Sequence, residues 1–353
     1  MKIVFINSVY GCGSTGKIIK NLYEKFSSDS FFEPYVISRK GLKTDDKKIM
    51  YKTFKLESKI HHFFSLFTGN MYGGMLFSTL RIKRTISKIK PNIVNVHCLN
   101  GYYVNLYELL KWLAKKQYKT VLTMHADFMM TGNCGIAGSC NKYLTGECSG
   151  CEKVKEFNGK FSLNRTHKFY KKLKKALSYF SEEKLKISCV SPWLEKRYCE
   201  SELYSRFTNV SIFNPVDNLF FSSGKINPFK EGTNVIYVTP DIYDENKSGY
   251  LIEDIAKVRP DVNFYVICTK DVEYHFNNSN ITYIKGGVTQ EALRDYYYFA
   301  DATLILSKRE TFSMAAAESL ACGTPVIGFK CGGPETICVP QYSLFFDRNN
   351  LDQ

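Results

Sequence analysis

The sequence has no uninterrupted apolar run of about 18 residues, the length at which a helix crosses a hydrocarbon core, so no transmembrane helix is predicted. No signal peptide is predicted either: the apolar run after Lys2 is short, and Asn7 and Gly11 interrupt it. The twelve cysteines are therefore expected to be reduced thiols in the cytosol. Acid is scarce. Asp and Glu number 34 against 48 Lys and Arg, a net charge of +14. This balance favours phosphate-bearing substrates, acidic bilayers or nucleic acid, and a lysine-rich coding bias produces it equally well. No nucleic-acid-binding module is recognisable, so nucleic acid is not an expected partner. A pyridoxal-binding lysine context, which a phosphorylase needs, is also missing.

A hydrophobic fraction of 44% and an aromatic fraction of 15% describe a folded protein. The 353 residues exceed one ordinary core, and the pattern repeats twice. Strands are predicted at Lys2 to Asn7, Tyr35 to Ser38, Ile93 to His97, Thr120 to Met124 and Ile187 to Val190. Helices are predicted from about Gly16 to Ser27 and from Leu106 to Lys116. The alternation resets near Asn214-Pro215. It resumes with strands at Asn234 to Val238, Val262 to Cys268, Ile281 to Ile284, Ala302 to Leu306 and Pro325 to Phe329. Helices at Tyr250 to Val258, Gln290 to Phe299 and Ser313 to Ala321 separate them. The expected architecture is α/β, two doubly wound parallel-sheet, Rossmann-like domains with ligand in a cleft between them. The expected boundaries are 1–213 for the first domain, 214–230 for a linker and 231–353 for the second.

Two segments leave alternatives open. Lys168, Lys171, Lys172 and Lys175 share one face of a predicted helix, either a solvated surface or a contact for anionic lipid headgroups. Ile60 to Leu80 is apolar but broken by Gly69, Gly73 and Gly74. It is either buried or an acceptor- or bilayer-facing surface.

Gly11, Gly13 and Gly16 spell G-x-G-x-x-G between a strand and a helix. Such a loop serves a dinucleotide, a nucleotide sugar or any phosphorylated ligand, so alone it does not separate an oxidoreductase from a transferase. A second constellation is richer: Glu310-Thr-Phe-Ser-Met-Ala-Ala-Ala-Glu318, then Ala-Cys-Gly323-Thr-Pro325-Val and Gly332-Gly333-Pro334-Glu335. Ser313 is a good N-cap and Gly323 a good helix stop. The amides near Phe312, Ser313 and Met314 form an anion site suited to a diphosphate. Glu318 is placed to hold a ribose, and Glu310 faces the group attached to the phosphate. Eight residues along a continuous helix span about 12 Å, too far for a glycosidase carboxylate pair.

Glu310-x7-Glu318 with the Ala-Cys-Gly-Thr-Pro-Val and Gly-Gly-Pro-Glu segments resembles the signature of the family 4 retaining glycosyltransferases, which have the GT-B fold. The chain is also similar to the branch that builds capsular and exopolysaccharide repeat units. Looser agreement covers Gly13 to Gly16, Pro91 to His97, Thr123 to His125, Ser191, Asn214 to Asp217 and Lys247. The resemblance implies a hexosyl- or glycosyltransferase of the EC 2.4 type that needs no metal. Glu310 would bind the donor sugar or stabilise charge at its anomeric centre, with His125 hydrogen-bonding the sugar. Lys247 and the Phe312, Ser313 and Met314 amides would neutralise the leaving diphosphate, and Glu318 would hold the ribose. Gly13, Ser14, Thr15 and Gly16 would form a loop on the acceptor and phosphate side. Three departures stand out. No Arg accompanies Lys247, Ser313 replaces the usual glycine, and the chain stops at Gln353 before the closing helices of the family, as a truncated second domain or inactive remnant would.

Cys134, Cys140, Cys148 and Cys151 occupy one glycine-rich loop, 132–151, spaced C-x5-C-x7-C-x2-C. They read either as unpaired thiols or as ligands of a structural zinc. His97 reads as structural, and Asp127 as an acceptor ligand or a loop cap. The expectation is transfer from a UDP- or GDP-sugar to a lipid-linked oligosaccharide, by a cytoplasmic protein peripheral to the inner face of the plasma membrane. A different two-domain sugar-nucleotide enzyme, epimerase-like, is the alternative.

Overall fold

The structure is a computed structural model that describes residues 1–135, 137–138 and 140–348. The chain end at Gln353, on which truncation was read, lies outside the described residues, as do two positions of the cysteine loop. The chain forms two compact units, Met1–Ile212 and Phe213–Gln353.

In the first unit, β1 (Lys2–Tyr10), β2 (Glu33–Gly41), β3 (Ile49–Tyr51), β4 (Ile93–Val96), β5 (Lys119–Met124), β6 (Leu185–Cys189) and β7 (Thr208–Ser211) form a parallel sheet. Its order is β3-β2-β1-β4-β5-β6-β7. The connecting helices are α1 (Gly13–Ser27), α2 (Lys55–Thr68), α3 (Leu76–Ile89), α4 (Leu106–Lys115), α5 (Val154–Asn158), α6 (Thr166–Leu177) and α7 (Pro192–Glu200). Val4, Phe5 and Ile6 of β1 are all buried, as a strand covered on both faces requires. Ile19 and Tyr23 of α1 pack with Phe5, Tyr10 and Val36 to close one side.

The second unit repeats the plan. Strands β8 (Thr233–Thr239), β9 (Val262–Cys268), β10 (Ile281–Ile284), β11 (Ala302–Ile305), β12 (Val326–Phe329) and β13 (Ser343–Phe346) pair in parallel in the order β10-β9-β8-β11-β12-β13. Helices α8 (Leu251–Val258), α9 (Gln290–Phe299), α10 (Met314–Ala321) and α11 (Pro334–Ile337) connect them. In each sheet the strand order reverses once, between β1 and β4 and between β8 and β11. Loops leaving the carboxyl ends there diverge, and the crevice between them is where such sheets hold ligands.

Three local expectations change. Helix α1 starts at Gly13, because the chain has already reversed at Gly11 (φ 71°). Gly13 to Gly16 are thus the first helical turn, not a free loop. Ile60 to Leu80 is not one buried run but parts of two helices: Gly69 in the left-handed conformation (φ 68°) ends α2, and α3 begins at Leu76, with many of their apolar side chains exposed. The sequence pattern marks no strand at Ser343–Phe346, where β13 forms.

Candidate functional site

At the reversal in the second unit, two turns are laced together. The Lys308 amide donates to the Asn246 carbonyl (2.7 Å), and the Asn246 side-chain amide donates to the Arg309 carbonyl (2.9 Å). The Tyr237 hydroxyl fixes the Lys247 carbonyl at 2.7 Å. This register brings the Lys247 ammonium onto Glu310 Oε1 as an ion pair, and Ser307 Oγ donates to the same oxygen at 2.9 Å. The side chains are 23% and 15% exposed, so water and salt screen the pair only in part.

The backbone of Glu310 is held just as firmly. Its amide donates to the Cys331 carbonyl (2.9 Å), and its carbonyl accepts from the Gly333 amide (2.8 Å). Glu335 closes the turn from below: its carboxylate accepts the Gly332 amide (2.8 Å) and the Cys331 amide (3.2 Å). Sequence reading placed Glu335 in the motif without a role, and its role is to clamp this turn. Gly333 is required for a steric reason. A Cβ there would overlap the Thr311 carbonyl and stand 2.6 Å from the Phe312 nitrogen.

Helix α10 starts beside Glu310. Ser313 Oγ accepts from the Ala316 amide at 3.4 Å, the expected N-cap. Ser313 adopts φ 75°, a conformation that favours glycine. The first turn carries no acid, so the partial positive charge of the helix start is not cancelled locally. Phe312 is buried against Phe213, Met314 begins the helix, and Glu318 lies half-buried on its second turn. Glu310 sits on the turn and not on the helix, so the 12 Å ruler for the two glutamates does not apply.

In the first unit, His125 follows β5 and His97 follows β4. The Asn95 amide donates to the Val121 carbonyl (3.2 Å) and Thr123 Oγ1 (2.9 Å), which turns its oxygen towards His97. His97 Nε2–H donates to that oxygen at 2.8 Å. His97 Nδ1 is then an acceptor, and His125 Nε2–H donates to it at 2.9 Å. The chain of bonds sets both tautomers and makes Nδ1 the acceptor nitrogen of His125. His97, read as structural, orients His125. Asp127 caps the loop: its buried carboxylate accepts the Ala137 amide at 2.8 Å. In α1, Gly16 is buried, Gly13 and Ser14 are exposed and Thr15 is half-buried.

Burial lowers His125 from its ordinary value of 6.5 to about 4, and lowers His97 well below 6.5 through burial and then the neighbouring His125. Both groups bind protons more readily in the unfolded chain. Their contribution to stability is full above pH 6.5 and is lost as pH falls from about 6.5 towards 4. The urea midpoint of the wild type is expected to drop between pH 7 and pH 5. The drop should be smaller in His125→Gln, and an equal drop in both proteins would refute the assignment.

The four loop cysteines carry no disulfide. Cys148 Sγ accepts the Gly132 amide at 3.2 Å, and burial followed by the neighbouring thiols pushes Cys134 up to about 12. Among the described residues, no group of three or more His, Cys, Asp or Glu side chains is placed to hold a metal ion.

Residues 233–351 match the family model described as glycosyl transferases group 1. A D-inositol 3-phosphate glycosyltransferase of Nocardiopsis dassonvillei is 41% identical over 58 residues, 16% of this chain and 14% of the relative. The WcaC protein of Escherichia coli (strain K12), described as a colanic acid biosynthesis glycosyl transferase, is 21% identical over 276 residues, 75% of this chain and 65% of its own. The chain thus spans less than two thirds of the length of these curated relatives. Among solved structures, Anabaena Alr3699/HepE in complex with UDP and glucose superposes with a TM-score of 0.59 at 13% identity, covering 98% of this chain and 86% of that one. At such identity the likeness shows the fold alone, and the fold is GT-B.

Proposed function

We propose that this chain, whose residues 233–351 match glycosyl transferases group 1, is a retaining glycosyltransferase. It would move a sugar from a UDP- or GDP-linked donor to a growing, lipid-linked surface oligosaccharide. The observation that carries the reading is the Lys247–Glu310 ion pair beside the start of α10, at the strand-order reversal of the second unit.

The chemistry follows from the charges. In the free chain Lys247 and Glu310 satisfy each other. A donor diphosphate offers Lys247 a doubly charged partner, and the uncancelled start of α10, at Phe312, Ser313 and Met314, adds amide donors. Glu310 is then released towards the sugar, where a carboxylate accepts hydroxyls and stabilises positive charge developing at the anomeric carbon. Glu318 holds the ribose. Fixed positive charge on Lys247 and the helix start serves the departing diphosphate, so transfer is proposed to need no metal. His125, neutral and oriented by His97, hydrogen-bonds the donor sugar without adding a competing cation. The first turn of α1, Gly13 to Gly16, serves the acceptor side. Cys134, Cys140, Cys148 and Cys151 are the residues that would hold a structural zinc, which would shape the loop and leave no open position for catalysis. The lipid-linked acceptor puts the protein at the cytoplasmic face of the membrane, as a peripheral protein. Among the described residues no helix is long and apolar enough to cross one.

A thermal-shift screen of UDP-, GDP- and ADP-sugars without lipid tests the reading. One donor at about a hundred times its Kd is expected to stabilise the chain by about 2.7 kcal/mol, a rise of several degrees. A flat response to every donor would remove the proposal.

A further inference from the structure

Helix α2 and the first turn of α3 turn apolar side chains outward. An amphipathic helix of a soluble domain turns its apolar stripe to the core. Helix α2 instead buries Ser58, His61 and Ser65 and exposes Leu56, Ile60, Phe63, Phe64 and Phe67. Its buried polar groups have partners: His61 bonds the Gly73 carbonyl, and Ser65 Oγ donates to the His62 carbonyl at 2.7 Å. Helix α3 buries Ile82 and Ile86 along its length, but at its start it buries Ser78 and Thr79 and exposes Leu76, Phe77 and Leu80. Phe63 and Phe64 are each 58% exposed and Phe77 is 69% exposed, far beyond what partial packing explains. Between the helices runs an open groove of about 810 Å³, apolar along Leu56, Ile60 and Leu80 and lined also by Arg81 and Arg84.

The apolar face continues past the end of α2. Phe161, 79% exposed, stacks on Phe67 with ring centres 6.5 Å apart, and the Leu163 amide donates to the Phe67 carbonyl at 2.9 Å. Its shape is fixed by Glu57, whose carboxylate accepts the Phe77 amide (2.8 Å), the Ser78 amide (2.9 Å) and the Ser78 hydroxyl (2.6 Å). That bond set ties α2 to the start of α3.

Charge decides what covers this face. Exposed Lys55, Lys59, Arg81 and Arg84 surround it, and the only acid on either helix, Glu57, is spent on the start of α3. A second copy of the chain would bring these cations against their own kind with no carboxylate to answer them. An anionic bilayer answers both features, its headgroups meeting the cations and its acyl boundary taking the phenyl rings. Each helix has 14 residues, too short to span, so the pair lies on the surface. We infer that the outer face of α2 and α3, with the Phe161–Leu163 edge, docks this protein onto anionic membrane. The inference deepens the proposed function, on which it rests for its purpose, by naming the surface that presents the chain to a lipid-linked acceptor.

The test is sedimentation of the full chain with vesicles of phosphatidylcholine alone and with about one third phosphatidylglycerol, without any sugar nucleotide. Binding to the anionic vesicles is expected to be at least about tenfold tighter and to weaken with salt. Phe64→Ser with Phe77→Ser should lose at least about tenfold of it at an unchanged melting temperature, because both rings already face solvent. Arg81→Ser with Arg84→Ser should lose most of the preference for anionic lipid. Three results would overturn the inference: a wild type that ignores both vesicles, a Phe64→Ser/Phe77→Ser protein that binds as the wild type does, or a wild-type dimer that this double variant dissociates without any vesicle binding. Vesicle binding without a donor shift removes the transferase reading alone, and a donor shift without vesicle binding removes the docking surface alone.

Discussion

Glu310→Gln is expected to lower the transfer rate by about 10²–10³-fold while leaving free nucleoside diphosphate binding unchanged or tighter. Glutamine keeps the size and the hydrogen bond from Ser307 but removes the charge that pairs with Lys247. With its partner neutral, Lys247 is fully available to a diphosphate. Lys247→Ala should do the reverse and weaken nucleoside diphosphate binding by about tenfold or more, because a charge-assisted contact is gone. It also leaves Glu310 partly buried without its cation, so some loss of stability is expected. Initial rates with titration calorimetry on both variants separate the roles. Parallel loss of nucleotide affinity in both would show the pair to be a structural bridge only.

Gly333→Ala should be strongly damaging to the second unit. The added carbon meets backbone, the Thr311 carbonyl and the Phe312 nitrogen, which cannot rotate away as a side chain can. The Glu310 carbonyl then loses its 2.8 Å bond from the Gly333 amide, and the start of α10 shifts with it. A cost above about 2 kcal/mol is expected, together with loss of the donor-induced shift. Chemical denaturation and the same donor titration check it. A variant with wild-type stability and donor response would refute the laced-turn geometry.

What the sequence disclosed was whatever is continuous along it. Glu310 to Glu335 is one unbroken stretch, so its N-cap, helix and glycine turn could be read in order. The alternation of short apolar strands with helices likewise gave the two parallel sheets, since strands buried on both faces are apolar throughout. Pairings across distance were closed to it. Lys247 and Glu310 are 63 residues apart, and only the neighbouring positions of β8 and β11 bring them together. His97 and His125 are 28 residues apart, and the Asn95 amide that sets their tautomers looks like an ordinary strand residue. For α2 and α3 the difficulty was different. Periodicity says that a helix has an apolar side but not which way that side faces, and in α2 and the first turn of α3 it faces out.

The most direct measurement is the melting temperature of the wild type and of Lys247→Ala against UDP- and GDP-linked sugars, in the absence of lipid. A wild type stabilised by several degrees by one donor, with the shift largely lost in Lys247→Ala, is the predicted result. A wild type unmoved by every nucleotide sugar, or a Lys247→Ala protein that responds equally, would contradict the assignment of the donor site to Lys247, Glu310 and the start of α10.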